Sequence, residues 1–425
     1  MQQLNQRRHI RFIAIALTSA LILLVWVVGV PPILPGASQP QSGTFEQVWQ
    51  TINDEFYDPD FNGVSWAEVK TTYEPLVNQA TSQVELAQLT NQMLDELNTS
   101  HTRFYTSEEP AYYQLLGIFL PLIPEIQQQL EDHLPDGQPK YSGIGIFTAQ
   151  RDNGMFVRAV LDGSPAEAAG LLVGDRLISV DGQPFHPIHS FSGKADQPVT
   201  MQVQRSPGNE VELTVTPRLF DGTEMFLDAM KASVEVIERD DKQIGYVHLW
   251  SYAGEQFHEA LKAELSYGQL KDVDSFVLDL RDGWGGASPS YLNLYAPYNI
   301  QLTGETRDYP SATSNSAWNK PVVMLVNEGS RSGKEILAYG FRKYGIGRVV
   351  GTKTSGAVVG GILRVMDDGS ILYLAYADVQ VDGIRLEGVG VEPDIEVPFS
   401  LEYAQGADPQ KDRAIDVAVD AASQA

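Results

Sequence analysis

Apolar positions repeat with a helical period at first, then with a strand period, and finally in short runs that alternate between the two. Between Thr44 and Leu97, Phe45, Val48, Trp49, Ile52 and Phe56 fall on one stripe, and Val84, Leu86, Leu89, Met93, Leu94 and Leu97 on another. Ser82 with Glu85 makes a capping box at the head of the second stripe. This predicts a small helical region ending at Asn98-Thr99-Ser100-His101-Thr102. Ala111–Pro139 is apolar but broken by prolines, the pattern of an inserted helix pair or lid. From Tyr141 to about Leu219, β-patterned segments are separated by glycine turns. From Asp240 onward QIGYVHLWSY reads as a strand, GEQFHEALKAELS as a helix and DSFVLDLR as a buried strand. Strands alternating with helices predict an α/β core on a mainly parallel sheet.

The stretch Pro321–Gly361 organises that core. Val322–Val326 is short and β-branched, as a strand buried on both faces requires. Asn327–Gly329 turns the chain, Lys334–Tyr344 is helix-forming with Ile336, Leu337 and Phe341 on one face, and Gly345 and Gly347 can stop it. A second strand follows from Arg348. Ser330 and Ser332 therefore sit where a strand becomes a helix N-terminus, with free amides and a dipole suited to a developing oxyanion. An ordinary turn capped by serine has the same pattern. Asp279-Leu280-Arg281-Asp282-Gly283-Trp284-Gly285-Gly286 is a strand ending in a glycine loop whose amides can approach a ligand.

Composition narrows the classes. With 425 residues and 43% hydrophobic positions the chain has ample core for two or three domains. Its 55 acidic residues against 30 basic ones, net −25, argue against a nucleic-acid partner. The absence of cysteine excludes disulfides, thiol catalysis and thiolate metal sites. No metal-ligand spacing or dinucleotide fingerprint is apparent, so no cofactor is expected. Gly329-Ser330-Arg331-Ser332-Gly333-Lys334 has the outline of a phosphate loop, but Glu335 stands where a hydroxyl is required. Arg7, Arg8 and Arg11 precede the uncharged run Phe12–Val30, which reads as a signal anchor or signal peptide and puts the body outside the cytoplasm, in a periplasm, a lumen or the cell exterior. Pro31–Gly43 reads as a linker.

Family resemblances add roles to these positions. Tyr141–Leu219 closely resembles a PDZ domain in Gly143-Ile144-Gly145-Ile146, Ser164-Pro165-Ala166 with Gly170-Leu171, Gly174-Asp175 and Val180-Asp181-Gly182. That resemblance implies that Ser142, Gly143, Ile144, Gly145 and Ile146 hold the C-terminus of a peptide and extend it along a strand edge. The glycine loop, the serine turn and Glu387-Gly388-Val389-Gly390-Val391-Glu392-Pro393-Asp394, in this order behind a PDZ domain, resemble the tail-specific or C-terminal processing serine peptidases. The resemblance runs from about Thr44 to the C-terminus. It implies a multidomain α+β architecture which, behind the leader and linker (1–43), has a helical region with insertion (44–140), a PDZ domain (141–219) and an α/β peptidase core of the ClpP/crotonase-like kind (220–425). It also implies Ser332 as nucleophile, with the amides of Gly333 and of Gly285 or Gly286 as oxyanion hole.

At one position the chain departs from that pattern. Commoner members carry K-T-F-G-K-G-x-x-Q, in which the second lysine is the general base. Here Lys353-Thr354-Ser355-Gly356-Ala357-Val358-Val359-Gly360-Gly361 puts alanine at the base and glycine at the supporting glutamine. Among the seven histidines, His101 is similar in context to the base of the tricorn-protease core, the other branch of the superfamily. That branch implies His101 as base and Glu387 as supporting acid, the glutamate acting directly or through another group. A Ser-Lys pair using Lys353 or Lys334 is the alternative, and a core that has lost catalysis and serves as a PDZ-bearing binding module is another. The reading is of a membrane-associated serine endopeptidase with peptide or protein partners.

Overall fold

The computed structural model describes residues 41–295, 301–304, 312–315 and 318–425. The apolar run Phe12–Val30 lies outside them, and among the described residues no helix is long and apolar enough to cross a membrane.

Three helices, α1 (Gln41–Glu55), α2 (Trp66–Val77) and α3 (Gln83–Asp95), realise the two N-terminal stripes. Ser82 caps α3 by accepting from the Glu85 amide at 3.2 Å. After a turn at Asn98–Thr102 the chain enters the short strand β1 (Arg103–Tyr105). The proline-broken insertion is a helix pair, α4 (Pro110–Phe119) and α5 (Pro124–Leu130), each started by its proline.

The β-patterned middle comprises β2 (Lys140–Gly143), β3 (Ile146–Arg151), β4 (Gly154–Val160), the single turn α6 (Pro165–Ala168), β5 (Arg176–Val180), β6 (Gln183–Pro184), β7 (Val199–Ser206), β8 (Asn209–Val215) and β9 (Arg218–Asp221). Its main sheet runs β3-β4-β5-β7-β8, with β6 beside β5, so β3 pairs on one edge only. Strand β9 pairs antiparallel with β2, Ser142 opposite Leu219 and Gly143 opposite Arg218. The expected boundary after 219 therefore cuts a strand pair that closes the domain.

The core follows as α7 (Met225–Ala232), β10 (Glu235–Arg239), β11 (Lys242–His248), α8 (Glu255–Ser266), β12 (Ser275–Asp279), the hairpin β13 (Gln301–Gly304) and β14 (Ala312–Asn315), β15 (Val322–Val326), α9 (Gly333–Tyr344), β16 (Val349–Gly351), β17 (Gly360–Val365), β18 (Ile371–Ala377), β19 (Gln380–Val381), β20 (Ile384–Arg385), β21 (Ile395–Glu396) and α10 (Pro409–Gln424). Its sheet is ordered β10-β11-β12-β15-β16-β21. Only the β10–β11 pair is antiparallel, and every other pairing is parallel. All five residues of β12 and of β15 are buried, as strands covered on both faces require.

Two junctions position the site. Strand β1 extends the β17–β18 hairpin, with Arg103 opposite Tyr373. Phe45, Ile52 and Leu94 of the helices share one buried cluster with Leu372 and Leu374 of the hairpin. The other junction seats the β domain on the core. Arg158 of β4 pairs with Asp282 at 2.6 Å and Glu328 at 3.3 Å, Phe147 stacks on Trp250, and Trp250 Nε1 donates to Asp162 at 2.8 Å. A strap before α10 grips the domain's far side, where the amides of Tyr403 and Gly406 donate to the carbonyls of Gly174 and Val173, each at 3.0 Å.

Candidate active site

Ser332 ends the turn between β15 and α9 with φ +57° and ψ −128°. A non-glycine residue in such a conformation costs on the order of 1–3 kcal/mol, so its surroundings must hold it there. Its amide donates to Ala357 O at 2.9 Å and to Glu335 Oε2 at 3.0 Å. Glu335 is fully buried and also accepts from Thr354 Oγ1 at 2.6 Å, Gly356 N at 2.7 Å and Ala357 N at 2.8 Å. Burial raises its pKa, while these four donors oppose the rise. One carboxylate thus ties the serine turn to the 354–357 loop. Ser330 is buried, donating to Leu280 O at 2.9 Å and accepting from Asn327 N at 3.0 Å, a turn-fixing role.

The amides of Gly285, Gly286 and Gly333 donate to no protein acceptor among the described residues. An added Cβ on Gly285 would lie 2.5 Å from Ser332 Cβ, and one on Gly333 would lie 2.3 Å from Ala287 N. The glycine loop and the helix N-terminus approach this closely only without side chains. Buried Lys334 lies just beyond, its Nζ donating to Asp282 O at 2.8 Å and Trp250 O at 3.4 Å. Burial pulls its pKa down to about 7. It braces the base of the glycine loop.

His101 and Glu387, separated by nearly the whole chain, meet through a residue that sequence reasoning passed over. Ser100 Oγ lies 2.9 Å from His101 Nδ1 and 2.9 Å from Glu387 Oε2, and the Ser100 amide donates to Glu387 Oε1 at 2.8 Å. Glu387 accepts a further bond from Val358 N at 2.6 Å. The hydroxyl has one proton and a carboxylate only accepts, so Ser100 donates to Glu387 and receives the Nδ1 proton of His101. That leaves Nε2 as the basic nitrogen. His101 is buried with φ +55°, and desolvation, then the nearby Arg331 guanidinium, hold its pKa well below the ordinary imidazole range. Residues 357 and 358 join the two halves, one amino acid bonded to Ser332 and the next to Glu387. No hydrogen bond joins Ser332 Oγ to His101 among the described residues, and such contacts commonly tighten only once substrate is bound.

The alternative bases are placed elsewhere. Lys353 is half exposed and pairs with Glu392 at 2.9 Å. Ala357, where commoner relatives carry lysine, is buried beside Ser332. A Cβ on Gly361 would lie 2.5 Å from the Tyr373 ring, which packs 5.0 Å from the His101 ring. Tyr373 thus fills the space of a glutamine there. His258 of α8 is buried, bonded to Tyr252 Oη at 3.0 Å and stacked on Tyr291. His248 is buried against Trp250 with Nε2 3.0 Å from Arg281 O.

One grouping was not legible as metal-ligand spacing: Glu108, His186 and His189 bring ligand atoms within 4.8 Å of one another. His189 Nε2 pairs with Glu108, while His186 Nδ1 accepts from the amides of Ile188 and His189. An accepting Nδ1 requires the proton on Nε2, the opposite of what a ligand coordinating through Nε2 needs, so the grouping reads as a His189–Glu108 contact beside a capped turn.

Of the residues expected to bind peptide, Ser142 and Gly143 lie in β2, while Ile144 and Gly145 turn the chain into β3, Gly145 at φ +80°. The free edge of β3 and Phe191 border a cavity of about 720 Å³ that continues to Trp284, Arg331 and Ala357. The β3 edge and the serine turn open into one space.

Residues 243–397 match peptidase family S41, residues 156–205 the PDZ domain and residues 41–95 the tricorn protease C1 domain. Together these matches support a C-terminal processing serine peptidase family. Tricorn protease homolog 1 of Streptomyces coelicolor is 28% identical over 399 residues, 88% of this chain and 35% of that protein. The carboxyl-terminal-processing protease of Synechocystis sp. is 25% identical over 434 residues, 97% of this chain and 94% of that one. This chain spans about a third of the tricorn homologs it matches, 32% and 35%. The crystal structure of the tricorn protease shares the fold with TM-score 0.52 and 18% identity over 90% of this chain and 37% of that one.

Proposed function

We propose that the protein is a serine endopeptidase in which Ser332 attacks the scissile carbonyl and His101 takes its proton. Ser100 and Glu387 orient His101, and the amides of Gly333 and of Gly285 or Gly286 receive the oxyanion. The observation that carries this reading is the Ser100 bridge, which fixes Nδ1–H on His101 and frees Nε2 for the serine. A neutral imidazole in this orientation, backed by a carboxylate, is what general-base attack by serine requires. Lys353 is paired at the surface, and Lys334 is committed to two carbonyls.

The edge of β3 accepts the substrate tail as an added strand, and the shared cavity carries the chain on toward Ser332. The basic-flanked apolar run Phe12–Val30 supports membrane association, with the body outside the cytoplasm. Fluorophosphonate labelling should mark wild-type protein and not Ser332→Ala, and His101→Ala should slow labelling on the order of 10³-fold or more. Labelling that survives His101→Ala but is lost in Lys334→Ala would transfer the base role to the lysine. Wild-type protein that resists labelling while fully folded would leave the binding-module reading.

A further inference from the structure

Arg331, immediately before the nucleophile, has no role in the proposed proton relay. Its guanidinium lies over the Trp284 ring, 5.3 Å from the centroid, and it is half-buried. It makes no ion pair or side-chain hydrogen bond among the described residues. The neighbouring guanidinium of Arg103 is satisfied by Glu109 at 3.1 Å. Arg331 borders both the large substrate cavity and a second one of about 370 Å³, which also reaches His101, Tyr105 and Tyr373. The hydroxyls of Tyr105 and Tyr373 carry no hydrogen bond among the described residues, and burial, against the opposing pull of Arg331, keeps both phenols protonated, so each remains a donor. Asp95 borders the same cavity but is exposed, where solvent screens it.

Glu109 also lines both cavities but is held by Arg103, so a half-buried guanidinium stacked on an aromatic face, with two phenolic donors nearby and no protein carboxylate paired to it among the described residues, suits a carboxylate brought from outside. We infer that Arg331, with Tyr105 and Tyr373, forms a specificity pocket for a substrate carboxylate next to the scissile bond. This inference rests on the reading of Ser332 and His101 as the reacting pair. The carboxylate has two possible sources, an aspartate or glutamate side chain and a nearby chain terminus. The pocket also borders the base. A carboxylate on Arg331 offsets the positive charge that disfavours protonation of His101, and makes the imidazole a stronger base when the preferred substrate is bound.

The test compares internally quenched peptides, amidated at the terminus, that differ only by glutamate or glutamine at each position flanking the bond. A second pair differs only by a free or amidated terminus two residues beyond the bond. Wild-type kcat/KM should favour the carboxylate member of one pair by about 10- to 100-fold. Arg331→Gln should bring that ratio close to unity, Arg331→Lys should keep part of it, and Arg331→Glu should turn preference toward lysine at the same position. A terminal-carboxylate preference that survives Arg331→Gln belongs to the PDZ groove and overturns the assignment. So does enzyme that labels fully with fluorophosphonate but turns over both members of each pair equally, a result that leaves the catalytic reading intact. Loss of labelling at Ser332 removes both.

Discussion

At the scale of single residues the site depends on protons being in fixed places. His101 is buried, and desolvation together with Arg331 favours its neutral form. The sign follows directly. A base whose pKa is depressed stays deprotonated, and competent, to lower pH. The acid limb of kcat/KM, which reports the free enzyme, should therefore fall with a midpoint below the ordinary imidazole value of about 6.5. A pH–rate profile on a neutral peptide checks this, and a midpoint above that value would show that His101 is not the titrating base. Ser100 explains why half of this site was legible in sequence and half was not. His101, Ser332 and Glu387 could be nominated because each sits in a local pattern similar to known peptidases. The hydroxyl that links two of them acquires its role only when residues 287 positions apart are brought to 2.9 Å. Nothing local distinguishes it from any serine before a histidine. Arg331 was passed over for the same reason, because its lack of a partner is a property of the fold.

At the scale of elements, the strand–turn–helix unit was the most legible part. Val322–Val326 and the helix to Tyr344 lie where their periodicity put them, because short buried strands and amphipathic helices are encoded within a few residues. The clamp that joins this unit to the next loop was not visible, since nothing local tells Glu335 apart from any other acid in the first turn of a helix. Its carboxylate receives four donors. Glu335→Gln replaces one acceptor oxygen with a donor that faces backbone amides, and should destabilise the fold by about 1–3 kcal/mol. It should also slow fluorophosphonate labelling of Ser332. Urea unfolding of the variant measures the first effect, and stability equal to wild type would show that the clamp is dispensable. The boundary expected after 219 falls inside β9, whose pairing with β2 joins segments nearly eighty residues apart, and no local signal marks that pairing.

At the scale of the whole molecule, the PDZ domain and the core meet at the glycine loop. Arg158 reaches from β4 to Asp282, whose amide accepts no freedom of its own: it donates to Asn327 Oδ1 at 3.1 Å, and its carbonyl holds Lys334. Asp282 in turn leads into Gly283–Gly286. Arg158→Ala leaves a nearly buried carboxylate with Asn327 as its remaining side-chain partner. Peptide turnover should fall by about 10-fold or more, through kcat rather than KM, because the proposed oxyanion donors lose their brace before the proposed tail site does. Steady-state kinetics on a tail-bearing peptide separate the two parameters, and a pure KM effect would place Arg158 in binding alone.

A chain without cysteine is also a blank background for covalent probes. Asn153 at the tip of the β3–β4 hairpin and Glu402 on the strap are both exposed, with side chains in contact at 3.0 Å. Cysteines at these two positions would be the only thiols in the molecule, so a short bifunctional crosslinker could staple the PDZ domain to the strap without side reactions. Turnover by the stapled protein, compared with the same protein after cleavage of the linker, would then report whether catalysis proceeds with the domain seated or needs it to lift away.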